Sequence, residues 1–393
     1  MSRNTTVGID IGTYHVKVVV AEHVREKGRS GNRILGTGYA ESRGIRHGYI
    51  INSGDASKSI RLAIHEAEKA SGREIKNAYL AVGGVSLEST VSSGKAIISR
   101  ADLEITEQDL ETALAESEAN IPPALSTNRK ILHSIPVQYK IDGKEIVGRP
   151  VGMKGAKLEI KTLFILCLEQ HLQDLIDTVE GVGVAVEDVM ASPLAASLVA
   201  LTKTQKIAGC VLANIGAETV SIVVYENSLP ISLQIFPIGS TDITNDIALG
   251  LRVPLEEAEQ IKLGGLTTTS IPKKKLDEII FARLSDIFEL IEAHLKKINR
   301  DGLLPAGIIL TGGGSGVTTI EDLAKASLRL PSKIGTLHVS AGNRGHVIDS
   351  TWSVAYGLCI YGFTTGDEHS LGATRAVKKF FGSIASWFKQ FLP

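Results

Sequence analysis

Apolar residues in this chain recur in short runs broken by glycine, and the runs alternate between strand and helix spacing. Residues 7–11 are apolar around a single aspartate, Gly12-Thr13 marks a turn, and residues 16–21 continue as a second strand. Ile60, Ala63, Ile64, Ala67 and Ala70 share one helical face and predict a helix over 57–71. Residues 78–82 read as a strand. From about 76 to 166 the texture changes to that of a small α+β insert. Thr106 with Asp109 predicts a helix start ahead of Leu110 and Leu114. Pro122-Pro123 and residues 126–128 mark a loop, 130–141 alternate as a strand, Asp142-Gly143 turns the chain into Ile146-Val147, and 160–168 form a further strand.

Residues 172–180 predict a helix, and 189–201 a second one with Pro193 near its first turn. Strand, glycine turn and strand then return over 208–213, Gly216 and 219–225, so that GIDIGTYHVKVVV near the start matches LANIGAETVSIVVY near the middle. Two related halves, each opening on a glycine hairpin, are the organisation this repeat predicts. A helix over 256–263, a basic loop at 270–275, a long helix over 276–298 and a strand over 307–310 follow. That strand runs into three glycines, 353–361 read as a small-residue helix, and 364–374 as a polar linker.

At 393 residues the chain holds two or three domains. Its 42 basic and 43 acidic residues leave no global field for nucleic acid, and no local run of five like charges supplies one. Cys167, Cys210 and Cys359 are far apart and odd in number, which predicts a reducing cytoplasm rather than a disulfide framework. The first residues lack the apolar stretch of a signal peptide, and no apolar run approaches the ~20 residues of a membrane span.

Three glycine motifs carry the chemistry. In Asp10-x-Gly12-Thr13 with Lys17, a tight hairpin lets backbone N–H groups approach phosphate, the carboxylate holds a metal-bound water, and the lysine reaches a phosphate. Asn214-x-Gly216-x-x-Thr219 repeats the hairpin. In the third, an apolar strand feeds Gly312, Gly313 and Gly314 and brings backbone close to a flat or charged ligand. Each alone is also read as a plain turn or loop.

Together, and in this order, the motifs resemble the actin, Hsp70 and sugar-kinase superfamily. More narrowly the chain resembles the FtsA family of bacterial cell-division proteins, through HSIPVQYKIDG (133–143), RPVGMKGAKLE (149–159), AEQIKLGG (258–265), AGIILTGGGS (306–315) and VAYGL (354–358). The resemblance implies an actin-like α/β fold of two related domains around a nucleotide cleft. Its parts are 1–76 with 167–206, an inserted subdomain at 77–166, 207–245 with 306–363, a further subdomain at 246–305, a linker at 364–376 and a C-terminal amphipathic helix at 377–393. It implies ATP with Mg2+, the metal held by Asp10 through water. It places ATP contacts at Asp10, Gly12, Thr13, Lys17, Asn214, Gly216, Thr219, Gly312, Gly313 and Gly314, and at Glu259 and Lys262, whose spacing holds adenosine in Hsp70-like members. Glu259 and Lys262 alone read as an exposed helical ion pair.

Two departures bear on hydrolysis, and no catalytic residue is assigned. Asn214 stands where relatives carry Asp and lacks the charge that organises a metal-bound water. Ser192 stands before Pro193 where relatives carry Glu, and a hydroxyl without a partner is a poor base. Glu218, beside the second hairpin, repels phosphate if it faces inward. ATP binding with slow or absent turnover is the expectation.

The last segment, 377–392, reads VKKFFGSIASWFKQFL and holds four of the nine Phe and one of the two Trp. As a helix, Val377, Phe380, Phe381, Ile384, Trp387, Phe388, Phe391 and Leu392 fall within an arc of roughly 140°. Lys378, Lys379 and Lys389 edge the opposite face, with no acid among them. Such helices ordinarily fold back onto the body. A terminal position, a polar linker and a purely basic polar face point instead to an in-plane helix on anionic lipid.

The resemblance further implies that the 246–305 subdomain binds the acidic, apolar C-terminal tail of FtsZ through Lys275 and Arg283, that the chain forms a homopolymer, and that later division proteins dock on the insert. The site of action is then the cytoplasmic face of the cell membrane. Three alternatives stay open: a PilM-type pilus adaptor, a sugar-kinase or chaperone-like ATPase, and a module that binds no nucleotide.

Overall fold

The computed structural model describes residues 4–26, 29–265, 272–317, 319–337 and 349–366. The chain opens on the antiparallel hairpin β1 (Thr5–Ile11) and β2 (His15–Glu26), continued by β3 (Arg29–Glu41). A small hairpin, β4 (Ile45–Arg46) and β5 (Tyr49–Ile50), leads to α1 (Ser53–Ser71) and then β6 (Asn77–Val82), parallel to β1. The inserted unit comprises β7 (Glu88–Ile97), α2 (Glu107–Ala119), the single turn α3 (Pro123–Ser126), β8 (Arg129–Ile141), β9 (Lys144–Ile146) and β10 (Lys157–Leu168). Its four strands run in the order β7-β10-β8-β9. The first half is then completed by α4 (Glu169–Glu180), β11 (Ala185–Ala191), α5 (Ser192–Ala200) and α6 (Lys203–Ala208).

The second half repeats the first. β12 (Cys210–Ile215), β13 (Val220–Glu226) and β14 (Leu229–Phe236) form an antiparallel run, followed by α7 (Ser240–Leu251), α8 (Leu255–Lys262) and α9 (Lys273–Lys297). β15 (Ile308–Thr311), α10 (Ile320–Leu328) and β16 (Ser332–Ile334) follow, and α11 (Ser353–Gly366) returns to the first half. The two sheets read β11-β6-β1-β2-β3 and β16-β15-β12-β13-β14. Strand for strand these are one topology used twice: an antiparallel triplet whose first strand is also paired in parallel with a later one.

Burial explains why β1 is a near-continuous apolar run rather than an alternating one: a strand covered on both faces has no solvent side. Val7, Ile9 and Ile11 are buried, and α11 lies directly on this sheet. It can do so because the contact residues are small. A Cβ on Gly8 would stand 2.1 Å from the Ala355 carbonyl oxygen, and one on Gly357 1.9 Å from that of Ala195 on α5.

The structure corrects several expectations. Val189, Met190 and Ala191 are not helical; they pair with Leu80, Ala81 and Val82 in β6, and helix α5 begins only at Ser192, with Pro193 in its first turn. The unbroken apolar stretch offers no periodicity from which to place that boundary. Asn77–Val82, within the 77–166 expected for the insert, is hydrogen-bonded between β1 and β11, so the insert starts after it. The basic loop is partly helix, since Lys273, Lys274 and Lys275 form the first turn of α9. The linker's first residues, Thr364 to Gly366, close α11. A helical turn, α3, occupies the loop around Pro123. β3 was not foreseen at all. The tail over 377–392 lies outside the described residues.

Candidate functional site

The two hairpins close by the same hydrogen bond. Gly12 N–H donates to the His15 carbonyl at 3.2 Å, and Gly216 N–H to that of Thr219 at 2.8 Å. Register carries the equivalence further. Asp10 sits opposite Lys17 across β1 and β2, as Asn214 sits opposite Ser221 across β12 and β13. The anionic and cationic positions of the first hairpin are therefore both neutral in the second.

Burial pushes the Asp10 carboxyl up to about 6, against the pull of the Lys17 ammonium. Lys17 is itself lowered by burial, an effect that Asp10 and Asp349 offset. Its ammonium donates to the Thr351 carbonyl at 2.8 Å and lies 5.6 Å from the centre of the Trp352 ring. The lysine is thus anchored on the segment that begins α11 while it borders the cleft.

At the glycine run, Gly312 adopts φ 87° and ψ 172°, a region only glycine occupies without strain. A Cβ there would stand 2.2 Å from Asn214 Oδ1 and 2.6 Å from the Ile215 carbonyl oxygen. Residues Gly313–Gly316 then form one 3-10 turn, pinned where Ser315 Oγ donates to the Gly312 carbonyl at 2.7 Å.

A cavity of about 520 Å3 opens between the halves, the size of a small-molecule site. Asp10, Gly12, Thr13, Lys17, Asn214, Gly216, Thr219, Glu259, Lys262, Gly312 and Gly313 all line it. Gly314 does not. It is buried against Ile215, whose Cγ2 would be 2.4 Å from an added Cβ, so its smallness serves packing.

Glu259 and Lys262 are no exposed pair. Their ion pair is 2.7 Å long, and the Lys262 side chain is only 8% exposed. Lys262 also donates to Thr244 Oγ1 at 2.8 Å and to the Ser240 carbonyl at 3.2 Å, while the Thr244 hydroxyl donates to Glu259 Oε2 at 2.6 Å. All three ammonium donors are committed within the protein. Lys262 accordingly braces Glu259, whose side chain borders the cavity.

Ser192 does line the cavity, facing Gly83, whose added Cβ would be 2.8 Å from Ser192 Oγ. Glu218 turns out of the cleft and accepts the His47 backbone N–H. The sequence reading missed a wall of rings, Tyr14, His15, Tyr39 and Trp352, in which each is in contact with the next at 4.6, 5.6 and 6.5 Å between centres. Four rings drawn from three separate segments carry no local signal of this.

Of the two proposed partner residues, Lys275 is exposed at the start of α9. Arg283 forks onto Asp246, with Nε 2.7 Å and one terminal nitrogen 3.1 Å from its two oxygens, and reaches Asp286 at 3.3 Å. Exposed Leu249 and Phe281 lie on the same two helices, α7 and α9.

Duplicated sheets around a cleft place this chain in the actin-like class of α/β folds. In the solved PilM-PilN type IV pilus biogenesis complex, a chain superposes with a TM-score of 0.67 at 16% identity, covering 91% of this chain and 98% of that one. MreB5 of Spiroplasma citri bound to ADP superposes with a TM-score of 0.53 at 14% identity, covering 94% and 99%. Closer relatives narrow the class. Cell division protein FtsA of Borreliella burgdorferi is 33% identical over 384 residues, 92% of this chain and 91% of the relative. That of Pseudomonas aeruginosa is 31% identical over 377 residues, 91% and 88%. Residues 211–357 match the family described as cell division protein FtsA, and 84–166 match the SHS2 domain inserted in FtsA. The chain belongs to the FtsA family of cell-division proteins. Among the described residues no helix is long and apolar enough to cross a membrane.

Proposed function

We propose that this chain binds ATP and Mg2+ in the cleft between its halves, assembles on the cytoplasmic face of the cell membrane, and tethers the FtsZ ring there through its C-terminal amphipathic helix. The observation that carries the nucleotide reading is convergence. Two hairpins of identical hydrogen bonding, a glycine turn and Glu259 come from four separate segments and open into one cavity. MreB5, a protein of the same fold, was solved bound to ADP. The Gly12 and Gly216 N–H groups close their own hairpins, so the backbone donors for phosphate are those of the turns they hold, at Thr13 and Ala217, and Lys17 adds a positive charge.

The residues also fit Mg2+, which keeps several waters and needs only one or two carboxylates beside the phosphates. Asp10 is that carboxylate, and the Asn214 amide oxygen is a neutral companion. When bound, the ion neutralises phosphate charge. Ser192 and Asn214 are neutral, Asp10 is given to the cation and Glu218 to the His47 N–H, so no carboxylate beside the hairpins is left to act as a base, and ATP acts as an assembly ligand. Titration calorimetry with purified protein is expected to show saturable one-to-one ATP binding that weakens when Mg2+ is chelated. In a single-turnover assay the bound ATP is expected to be recovered largely intact. No heat of binding at millimolar ATP overturns the nucleotide reading, and turnover as fast as a chaperone ATPase overturns the assembly role.

Membrane docking rests on 377–392. Each lysine adds roughly 1 kcal/mol near an anionic surface, and burying one large apolar side chain adds about 1.5–3 kcal/mol. Trp387→Glu is therefore expected to weaken pelleting with anionic liposomes by a factor of about ten or more, with an unchanged melting temperature. Unchanged pelleting removes the tether. At the partner site, a tail carboxylate that meets Lys275 and Arg283 shares or displaces Asp246 from the guanidinium fork. Filament contacts and later division proteins belong to other faces, the insert among them.

A further inference from the structure

Glu218 is out of place in a phosphate hairpin, and the structure shows where its charge goes. Its Oε2 accepts the His47 backbone N–H at 2.5 Å across 171 residues of sequence. The His47 ring returns the contact: Nδ1 lies 3.3 Å from the Glu218 carbonyl oxygen and 3.9 Å from the carboxylate. Glu218 belongs to the turn between β12 and β13, in the second half. His47 sits at the tip of the β4–β5 hairpin, in the first.

Both ends of this contact adjoin residues of the cleft wall. His47 adopts φ 48°, and Gly48 follows at φ 87°. Gly48 lies so close over the first half that its added Cβ would be 2.4 Å from Gly84 Cα, and Val85 N–H donates to the His47 carbonyl at 3.2 Å. The hairpin tip is thereby fixed to the first half. Gly48, Gly84 and Ala217 all line the cavity. One carboxylate, its side chain 24% exposed, thus joins the two halves next to residues of both that line the cavity. A hydrogen bond to an ionised, partly buried acceptor is among the stronger single contacts a protein makes.

We propose that Glu218 is a catch: a positioning residue that holds the halves together at the phosphate end of the cleft and so sets how fast a bound nucleotide leaves. It deepens the nucleotide reading above and rests on it. The catch predicts an effect on opening, not on the contacts a ligand makes. Gln keeps a neutral oxygen acceptor for the His47 N–H, whereas Ala keeps none.

Two measurements on the full chain test it. Hydrogen exchange at the His47 amide in the nucleotide-free protein is expected to quicken about tenfold in Glu218→Ala and by less in Glu218→Gln. Release of a fluorescent ATP analogue, followed by stopped flow, is expected to quicken in the same order, about tenfold for Ala, with association quickening alongside it because the same contact holds the nucleotide-free cleft. An unchanged His47 amide in Glu218→Ala overturns the catch, and so does an analogue that leaves both variants at the parental rate. A parent protein that binds no analogue overturns the nucleotide reading, and with it the control of release. The amide measurement then reports on the contact between the halves by itself.

Discussion

Gly312→Ala is expected to lower stability by about 2–4 kcal/mol and to abolish ATP binding, while Gly313→Ala leaves stability within about 0.5 kcal/mol of the parent. The contrast comes from neighbouring glycines with opposite surroundings. At Gly312 the backbone holds φ 87° and ψ 172°, and an added Cβ would collide with Asn214 Oδ1 at 2.2 Å and the Ile215 carbonyl oxygen at 2.6 Å. The first obstacle is a side chain that can turn aside. The second is backbone of β12, the strand that carries the second hairpin, so relief requires the cleft wall itself to move. At Gly313 nothing lies within 4 Å of the added atom. Urea denaturation gives the stability difference and calorimetry the affinity. Equal midpoints for Gly312→Ala and the parent would show that the glycine run is loose in solution and does not shape a nucleotide site.

This pair also marks what the sequence could reveal. Three consecutive glycines after an apolar strand announce a close approach, and two of them line the cleft. Sequence spacing cannot tell that Gly314 faces Ile215 instead, because that depends on how the 3-10 turn rotates. The duplicated hairpin was legible because its signal is local: glycine, a short turn and β-branched flanks. β3 was not, because RSGNRILGTGYAE alternates poorly and two of its three glycines, Gly36 and Gly38, are there to let α1 approach. A Cβ on Gly38 would be 2.0 Å from the Ala63 carbonyl oxygen. The α5 boundary failed for a related reason, since a strand buried on both faces and a buried helix look alike. The saturation of Lys262, the fork of Arg283 on Asp246 and the crossing of Glu218 to His47 each join distant segments. Charge type at one position carries no record of such partners. What the sequence supplied was the set of groups in the cleft; what the fold added was which of them are already spoken for.

A large pH effect is expected at Asp10, with opposite signs for stability and for ligand. Burial raises its carboxyl from 3.8 to about 6, and Lys17 only partly offsets this. A carboxyl whose folded value lies above its unfolded value stabilises the fold in its protonated form. That contribution is full below about 4 and is lost as pH rises through about 6. A shift of about two units corresponds to about 3 kcal/mol. Asp10 keeps a partial opening onto the cleft, and solvent there reduces the figure to about 2 kcal/mol. Asp10→Asn imitates the protonated form at every pH. It is expected to stabilise the nucleotide-free protein by about 2 kcal/mol at pH 7, to make no difference at pH 4, and to flatten the profile between. Mg2+ requires the ionised group, so Mg2+-dependent ATP affinity in the parent is expected to fall as pH drops below about 6, and in Asp10→Asn to lose its Mg2+ dependence altogether. Denaturation midpoints between pH 4 and 8 and calorimetry with and without Mg2+ read both. A variant that is less stable than the parent at pH 7 would mean that the ionised carboxylate is a structural partner in the fold. A variant that is more stable and deaf to Mg2+ identifies Asp10 as a charge held at a cost to the empty protein, recovered when cation and phosphate arrive.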